Sequence, residues 1–330
     1  MRPHRPGRRP IPRPPAAQGP PAAQGPPAGD PPGDPPGDPP GDPPGDPLTE
    51  AARLLPAFFA PVEVVASLPS TMLRASEIAE GGGPEGATVL ADHQTAGRGR
   101  LGRTWLDPPG SSLLLSVVLR PAAPRVWPVL VAAGLALVEA VDGVLAGPGG
   151  HAGPGATLRP VALKWPNDLL VGGRKAAGLL AEAVPGGLVL GMGVNVRQER
   201  QGFPPELRGR VTSLALAAGR PVGRGPLLGA WGRGFVARYR AVAGHPGALL
   251  PEYRACLATL GQQVRVQRLA GPVLTGRAVD VRPGGALVVR LPDGARVEVA
   301  AGDVEHLRPA GADPGDADPG DADPGDGPAG

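Results

Sequence analysis

The strongest constraint on this chain of 330 residues is that both of its ends are written in Pro, Gly and Asp. Between 14 and 46 the sequence passes through PPAAQGPPAAQG into repeated GDPP units, and from Ala310 it runs in DPGDA repeats. Proline lacks the amide donor that helices and ladders need, and glycine loses the most backbone freedom on ordering. Neither segment carries apolar side chains large enough to offset that entropy. Residues 1–47 and 310–330 are therefore predicted to be disordered tails, and the fold must lie between 48 and 309.

Setting the tails aside changes the charge. The first 47 residues hold five Arg and five Asp and the last 21 hold six Asp and no Lys or Arg, so the whole chain's +3 becomes +9 over residues 48–309. Such a region suits nucleotide phosphates, an acidic protein surface or nucleic acid, and equally an Arg-rich solvated surface. Cys256 is the one cysteine, which excludes an intrachain disulfide and a Cys-based zinc site and fits a reducing, cytoplasmic setting. No apolar run follows the first arginines, and no stretch is counted as reaching eighteen or so apolar residues, so neither secretion nor membrane insertion is expected.

Period-two and continuous apolar runs predict strands over 62–66, 88–92, 112–120, 161–165, 169–171, 175–183 and 188–196, with Gly172-Gly173 closing a hairpin. Helical spacing predicts helices from Ser70, as N-cap, to Glu80, and over 126–145, 226–242 and 249–260. After Gly261 the pattern shifts to short alternating strands over 264–268, 273–281, 287–291 and 296–299, with a tight turn at Asp293-Gly294. The reading is an α+β domain over 48–258 with a mixed, mostly antiparallel sheet, then a small SH3-like β-barrel over 259–309. Residues 147–160 form a Gly-rich insert.

The segment QTAGRGRLGR places Gly97, Gly99 and Gly102 in GxGxxG spacing. A dinucleotide fingerprint would need a helix at once and an acid about twenty residues on, whereas Asp107-Pro108-Pro109-Gly110 follows here. What remains is a loop whose glycines allow close backbone approach while Arg98, Arg100 and Arg103 offer cations to phosphate or carboxylate; an ordinary arginine-rich surface loop reads the same. Rare residues point elsewhere too. Of 33 basic residues only Lys164 and Lys175 are lysines, the only asparagines are Asn167 and Asn195, and three of these four fall in KWPNDLLVGGRK. A lysine kept in so Arg-biased a chain suggests a point-charge contact to carboxylate or phosphate, while Asn167-Asp168 alone would read as turn chemistry.

Taken together and in order, Ser70-Thr71-Met72, QTAGRGRLGRTW, KWPNDLLVGGRKAAGLLAE and LGMGVNV closely resemble the signature segments of biotin–protein ligases, and the resemblance covers about 62–308. It implies a class II synthetase-like, biotin–lipoate ligase catalytic domain. It further implies that Ser70, Thr71, Met72 and Gln94 meet the biotin head, that Gly97, Arg98, Gly99 and Arg100 belong to a loop that orders over ligand, and that Trp105 walls the cleft. Lys175 would contact the biotin carboxylate and the α-phosphate, with Lys175 and Arg98 as catalytic candidates. Arg100, Arg103, Lys164, Asn167, Asp168 and Asn195 would face ATP, and Asp168 its Mg²⁺. The expected reaction forms biotinyl-5′-AMP from biotin and ATP and passes biotin to a lysine on the carrier domain of acetyl-CoA carboxylase or a related carboxylase.

Some proteins of this kind carry an N-terminal helix-turn-helix, but only residues 48–60 could supply a helix before the first strand, so specific DNA binding is not expected. Lipoate ligases share the fold, and GRGRLGR with KWPND points to biotin instead; a non-catalytic biotin-binding module would not need Lys175. His93 is given a structural role. Both a monomer and a homodimer stay open.

Overall fold

The computed structural model describes residues 47–123, 125–147, 160–269 and 271–307. Both tails, apart from Pro47, and all but the ends of the 147–160 insert lie outside the described residues.

Along the chain come α1 (Leu48–Ala52), β1 (Val62–Leu68), α2 (Thr71–Glu80), β2 (Thr88–Gln94), β3 (Ser112–Leu119) and α3 (Val126–Ala146). There follow β4 (Val161–Lys164), β5 (Asp168–Val171), β6 (Arg174–Val184), β7 (Gly187–Asn195), α4 (Leu214–Ala218), α5 (Arg224–Gly244) and α6 (Leu250–Cys256). The first seven strands form one sheet in the order β1-β2-β3-β7-β6-β5-β4. Only β1 and β2 run parallel, because α2 carries the chain across between them; every other neighbour is antiparallel.

The central strands are apolar on both faces because helices cover both. Every residue of β3, SLLLSVVL, is buried. On one face α3 and α5 close the main core around Leu113, Leu135, Leu137, Trp231 and Phe235. On the other, α2 buries Met72, Ala75 and Ala79 against Val89, Val118 and Val189. Helix α3 corrects the apolar count made from sequence: it spans 21 residues, 18 of them in a row averaging a hydropathy of 2.1, and is long and apolar enough to cross a membrane by length and composition. Glu139 and Asp142 break the run when residues are counted one by one, but most of its apolar surface packs against the sheet and α5.

The helix expected over 249–260 is shorter, and the stretch 48–60 that could supply a helix does so only at its start. The α6 helix stops at Cys256 because Leu257 turns extended and Ala258 donates to the Leu163 carbonyl at 2.8 Å. The segment after Ala52 leaves the helix as it approaches Pro56 and Pro61.

The C-terminal strands β8 (Gln263–Arg268), β9 (Leu274–Val281), β10 (Leu287–Arg290), β11 (Arg296–Val299) and β12 (Gly302–His306) make a second, antiparallel sheet in the order β11-β10-β9-β8-β12. The expected SH3-like barrel is not closed: β11 and β12 are the two edges. The two residues between them turn the chain away toward β8 instead of reversing it into a hairpin, so Gly302 pairs with Arg268.

Candidate active site

Lys175 owes its place to the β5–β6 hairpin. Gly172 and Gly173 take φ of 56° and 76°, the left-handed pair that a two-residue turn requires, and the turn returns Lys175 opposite Leu170, two residues along β5 from Asp168. Its Nζ lies 2.7 Å from Asp168 Oδ1, with both side chains partly exposed, and 5.8 Å from the centre of the Trp105 ring. Beneath the indole are two glycines. A Cβ on Gly193 would come within 2.7 Å of Trp105, and one on Gly178 would meet Trp105 at 3.3 Å and Lys175 Nζ at 3.5 Å. A third, Gly191, makes room for Met72, whose Sδ would lie 2.5 Å from a Cβ there. The indole therefore packs directly on a floor of bare backbone, with an ammonium at its edge.

At the other end Ser70 stands at the N-cap of α2, as expected, but its side chain makes no capping bond. Gln94 does that work: its Oε1 accepts from the Thr71 backbone N–H at 2.7 Å and from Thr71 Oγ1 at 3.1 Å, while Ser116 Oγ donates to Thr71 Oγ1 at 2.8 Å. Ser70 Oγ is left buried without a partner, as is Trp105 Nε1. Such groups each cost about 1–3 kcal/mol unless something satisfies them. A ligand carrying polar atoms between α2 and Trp105 would do so.

The glycine- and arginine-rich loop, expected to order over ligand, is a short hairpin. The Trp105 N–H donates to the Gly97 carbonyl at 2.9 Å and the Gly99 N–H to the Arg103 carbonyl at 2.7 Å; Arg100–Gly102 make the tip, with Leu101 left-handed at φ 57°. The three guanidinium groups, expected as cations open to ligand, all have protein partners. Arg98 lies 3.7 Å from Glu182, Arg100 donates to Asn167 Oδ1 at 3.3 Å and to the Gly302 carbonyl at 3.4 Å, and Arg103 pairs with Asp303. The Arg98 and Arg103 pairs are largely exposed, so each is worth no more than about 1 kcal/mol and would yield to phosphate. Burial draws the Arg100 guanidinium below its ordinary pKa, opposed by Asp168 and Asp303.

Asn167 combines turn chemistry with a place in the site: its Nδ2 donates to the Leu179 carbonyl at 2.5 Å and its own carbonyl accepts from the Leu179 N–H at 2.9 Å. Lys164 faces Asp168 in register across β4 and β5. Asn195 is buried and reaches the group through one residue: it donates to the Thr212 carbonyl at 3.1 Å, and the Thr212 N–H donates to the Lys175 carbonyl at 2.9 Å. The structure thus gathers Ser70, Thr71, Met72, Gln94, Trp105, Asp168 and Lys175, with Gly97, Arg98, Gly99, Arg100 and Arg103 on the hairpin that leads into Trp105. Arg100 and Asn167 also line a neighbouring cavity of about 690 Å³ bounded by Trp127, Trp165, Leu180 and Gly285.

Sequence reasoning passed over the floor glycines Gly178, Gly191 and Gly193, the relay through Ser116, and the acids Asp107, Glu182 and Asp303. The glycines did carry a signal, since Gly191 and Gly193 in LGMGVN stand two apart and share a sheet face. Among the described residues no group of three or more His, Cys, Asp or Glu could hold a metal ion.

Residues 64–199 match the biotin/lipoate A/B protein ligase family and residues 259–307 the biotin protein ligase C terminal domain. The chain is 36% identical over 234 residues to a biotin–[acetyl-CoA-carboxylase] ligase of Mycobacterium tuberculosis, spanning 70% of this chain and 82% of that protein. It is 34% identical over 245 residues to the bifunctional ligase/repressor BirA of Bacillus spizizenii, spanning 72% of this chain and 71% of that protein. A structure of biotin protein ligase from Aquifex aeolicus in complex with biotin and ATP aligns with a TM-score of 0.63 and 25% identity, over 76% of this chain and 100% of that one.

Proposed function

The chain belongs to the biotin protein ligase family, and we propose that its Lys175 ammonium, set between Asp168 and the Trp105 ring, is where the ligation of biotin is driven. It is a biotin ligase that takes ATP and biotin as substrates, and its protein substrate is a carboxylase carrier.

In the first step a biotin carboxylate oxygen attacks the α-phosphorus of ATP. The P–O bond to the β-phosphate breaks, and biotinyl-5′-AMP and pyrophosphate result. Two anions must meet for this, and an ammonium between them offsets their repulsion and the charge that grows in the transition state. Asp168 holds Lys175 in place until the substrates arrive. In the second step the carrier lysine amine attacks the acyl carbon, an amide bond forms, and AMP leaves with the electron pair of the anhydride bond. Arg98 and Arg100, carried on the glycine- and arginine-rich hairpin acting as a lid, add positive charge over the phosphates, and the closed lid keeps water from the anhydride.

The apolar wall that the Trp105 indole makes as it packs on Gly178 and Gly193 suits the apolar body of biotin, and Ser70, Thr71 and Gln94 suit its polar ureido head. Arg103, Lys164, Asn167 and Asn195 are proposed for the nucleotide side, Asn195 through the Thr212 backbone it holds. Magnesium would arrive on the ATP phosphates with Asp168 as its one protein carboxylate, the low protein ligand count usual for that ion. It would draw charge from the leaving pyrophosphate.

We take 48–258 as the ligase region and 259–309 as a separate C-terminal region, a reading supported by the start of the second sheet at Gln263. We also propose that the protein works in the cytoplasm and binds no operator; a shifted band with biotin-operon promoter DNA at physiological salt would overturn the second point. The direct test of function is incubation of a carboxylase carrier domain with the protein, biotin and MgATP. The expected result is one biotinyl group on a single carrier lysine by mass spectrometry, and lipoyl transfer under the same conditions would contradict it.

A further inference from the structure

The lid hangs on two stems, one leaving β2 at Gln94 and the other returning to β3 at Ser112. Asp107 stands on the returning stem with no exposed side-chain surface. Its Oδ2 accepts from the Gln94 backbone N–H at 3.2 Å and lies 3.1 Å from His93 Nδ1, and its own carbonyl lies 3.0 Å from the same nitrogen. One carboxylate therefore ties the two stems together. It does so next to Gln94, whose side chain holds Thr71, and two residues from Trp105, which packs on the glycine floor.

A buried carboxylate is a costly way to fasten a loop. The Asp107 Oδ1 is buried with no hydrogen-bond partner, and burial, opposed by Gln94 and His93, pushes the carboxyl up to about 6. The titratable group facing it is His93; the neighbouring Asp92 is engaged by Arg224 at 2.6 Å. Unlike Glu182 and Asp303, whose partners reach them across open surface, Asp107 acts inside the lid's own base.

We infer that Asp107 is a positioning residue for the lid, fixing Gln94 and Trp105 against the glycine floor and so setting how tightly biotin and its adenylate are enclosed. This rests on the ligase reading above.

The experiment compares wild type, Asp107→Ala, Asp107→Asn and, as a control destabilised elsewhere, Val141→Ala in the α3 core. It reads biotin KM and kcat in pyrophosphate–ATP exchange, and AMP released from biotin and MgATP without carrier. Asp107→Ala is expected to raise biotin KM about tenfold with kcat within about threefold, a loss of binding more than of chemistry, and to release more AMP. Asp107→Asn, whose amide oxygen still accepts from Gln94, is expected to recover most of both, and Val141→Ala to change neither. Asp107→Ala with the KM and AMP release of Val141→Ala would overturn the inference. If Asp107→Ala does not fold, His93→Ala removes one of the two ties and must shift KM in the same direction; an unchanged KM overturns it equally. If wild type shows no biotin-dependent exchange, the ligase reading falls instead. Tryptic cleavage after Arg98, Arg100 and Arg103 then decides: faster cutting in Asp107→Ala than in wild type supports the hold on the lid, and equal cutting overturns it.

Discussion

Lys175 Nζ sits 2.7 Å from Asp168 Oδ1 across the β5–β6 hairpin, an ion pair joining the residue proposed to neutralise the reacting anions to the carboxylate proposed to meet magnesium. The pair is partly exposed, so it adds little to stability, about 1 kcal/mol at most. Its value lies in direction, because it holds a flexible side chain beside the floor before any substrate arrives.

Asp168→Asn should therefore change thermal stability little and slow biotin-dependent exchange by about tenfold or more, equivalent to about 1.4 kcal/mol of transition-state stabilisation. Exchange kinetics beside a thermal melt separate the two effects. Equal losses in both would make the pair merely structural.

Gly193→Ala places a methyl group 2.7 Å from the Trp105 indole. The ring must shift off the floor, at an overpacking cost of about 1–3 kcal/mol. Biotin titration calorimetry should show a clear loss of affinity, larger than that of Gly284→Ala, where a Cβ meets nothing within 4 Å.

Gln94→Ala removes the acceptor for the first N–H of α2 together with the hold on the Thr71 hydroxyl. Loss of a helix cap costs about 1 kcal/mol, so denaturant melts should shift by that order. Biotin KM should rise in the same variant, whereas the KM for ATP should stay near wild type.

Asp107 is expected to make stability depend on pH. Its carboxyl sits at about 6 in the folded chain against an ordinary 3.8, so the folded state binds the proton more tightly than the unfolded one. The stability it contributes is full below the unfolded value and is lost as pH rises through about 6. At 1.36 kcal/mol per unit that loss is on the order of 3 kcal/mol. Denaturant melts between pH 4 and 7 should show the decline in wild type and a flatter profile in Asp107→Asn.

What the sequence revealed and what it hid divide along distance in the chain. Strands β3, β6 and β7, the Gly172-Gly173 turn and the long helices follow from local period and turn chemistry, which neighbouring residues carry. Strand β12 was missed because GDVEH offers only one buried apolar side chain, Val304, and takes its place from pairing with β8. The capping of α2 by Gln94 instead of Ser70, and the engagement of Arg98 by Glu182 and of Arg103 by Asp303, join residues far apart in the chain. Lys175 was legible as a rare residue in a recognisable segment; Asp107, an acid in a proline-rich stretch, was not.

The most direct measurement follows radiolabelled pyrophosphate into ATP with purified wild type and Lys175→Ala, given biotin and MgATP and no carrier. Biotin-dependent exchange is expected in wild type, and its loss in a folded Lys175→Ala protein. Undiminished exchange in that variant, or exchange that answers to lipoate instead of biotin, would contradict it.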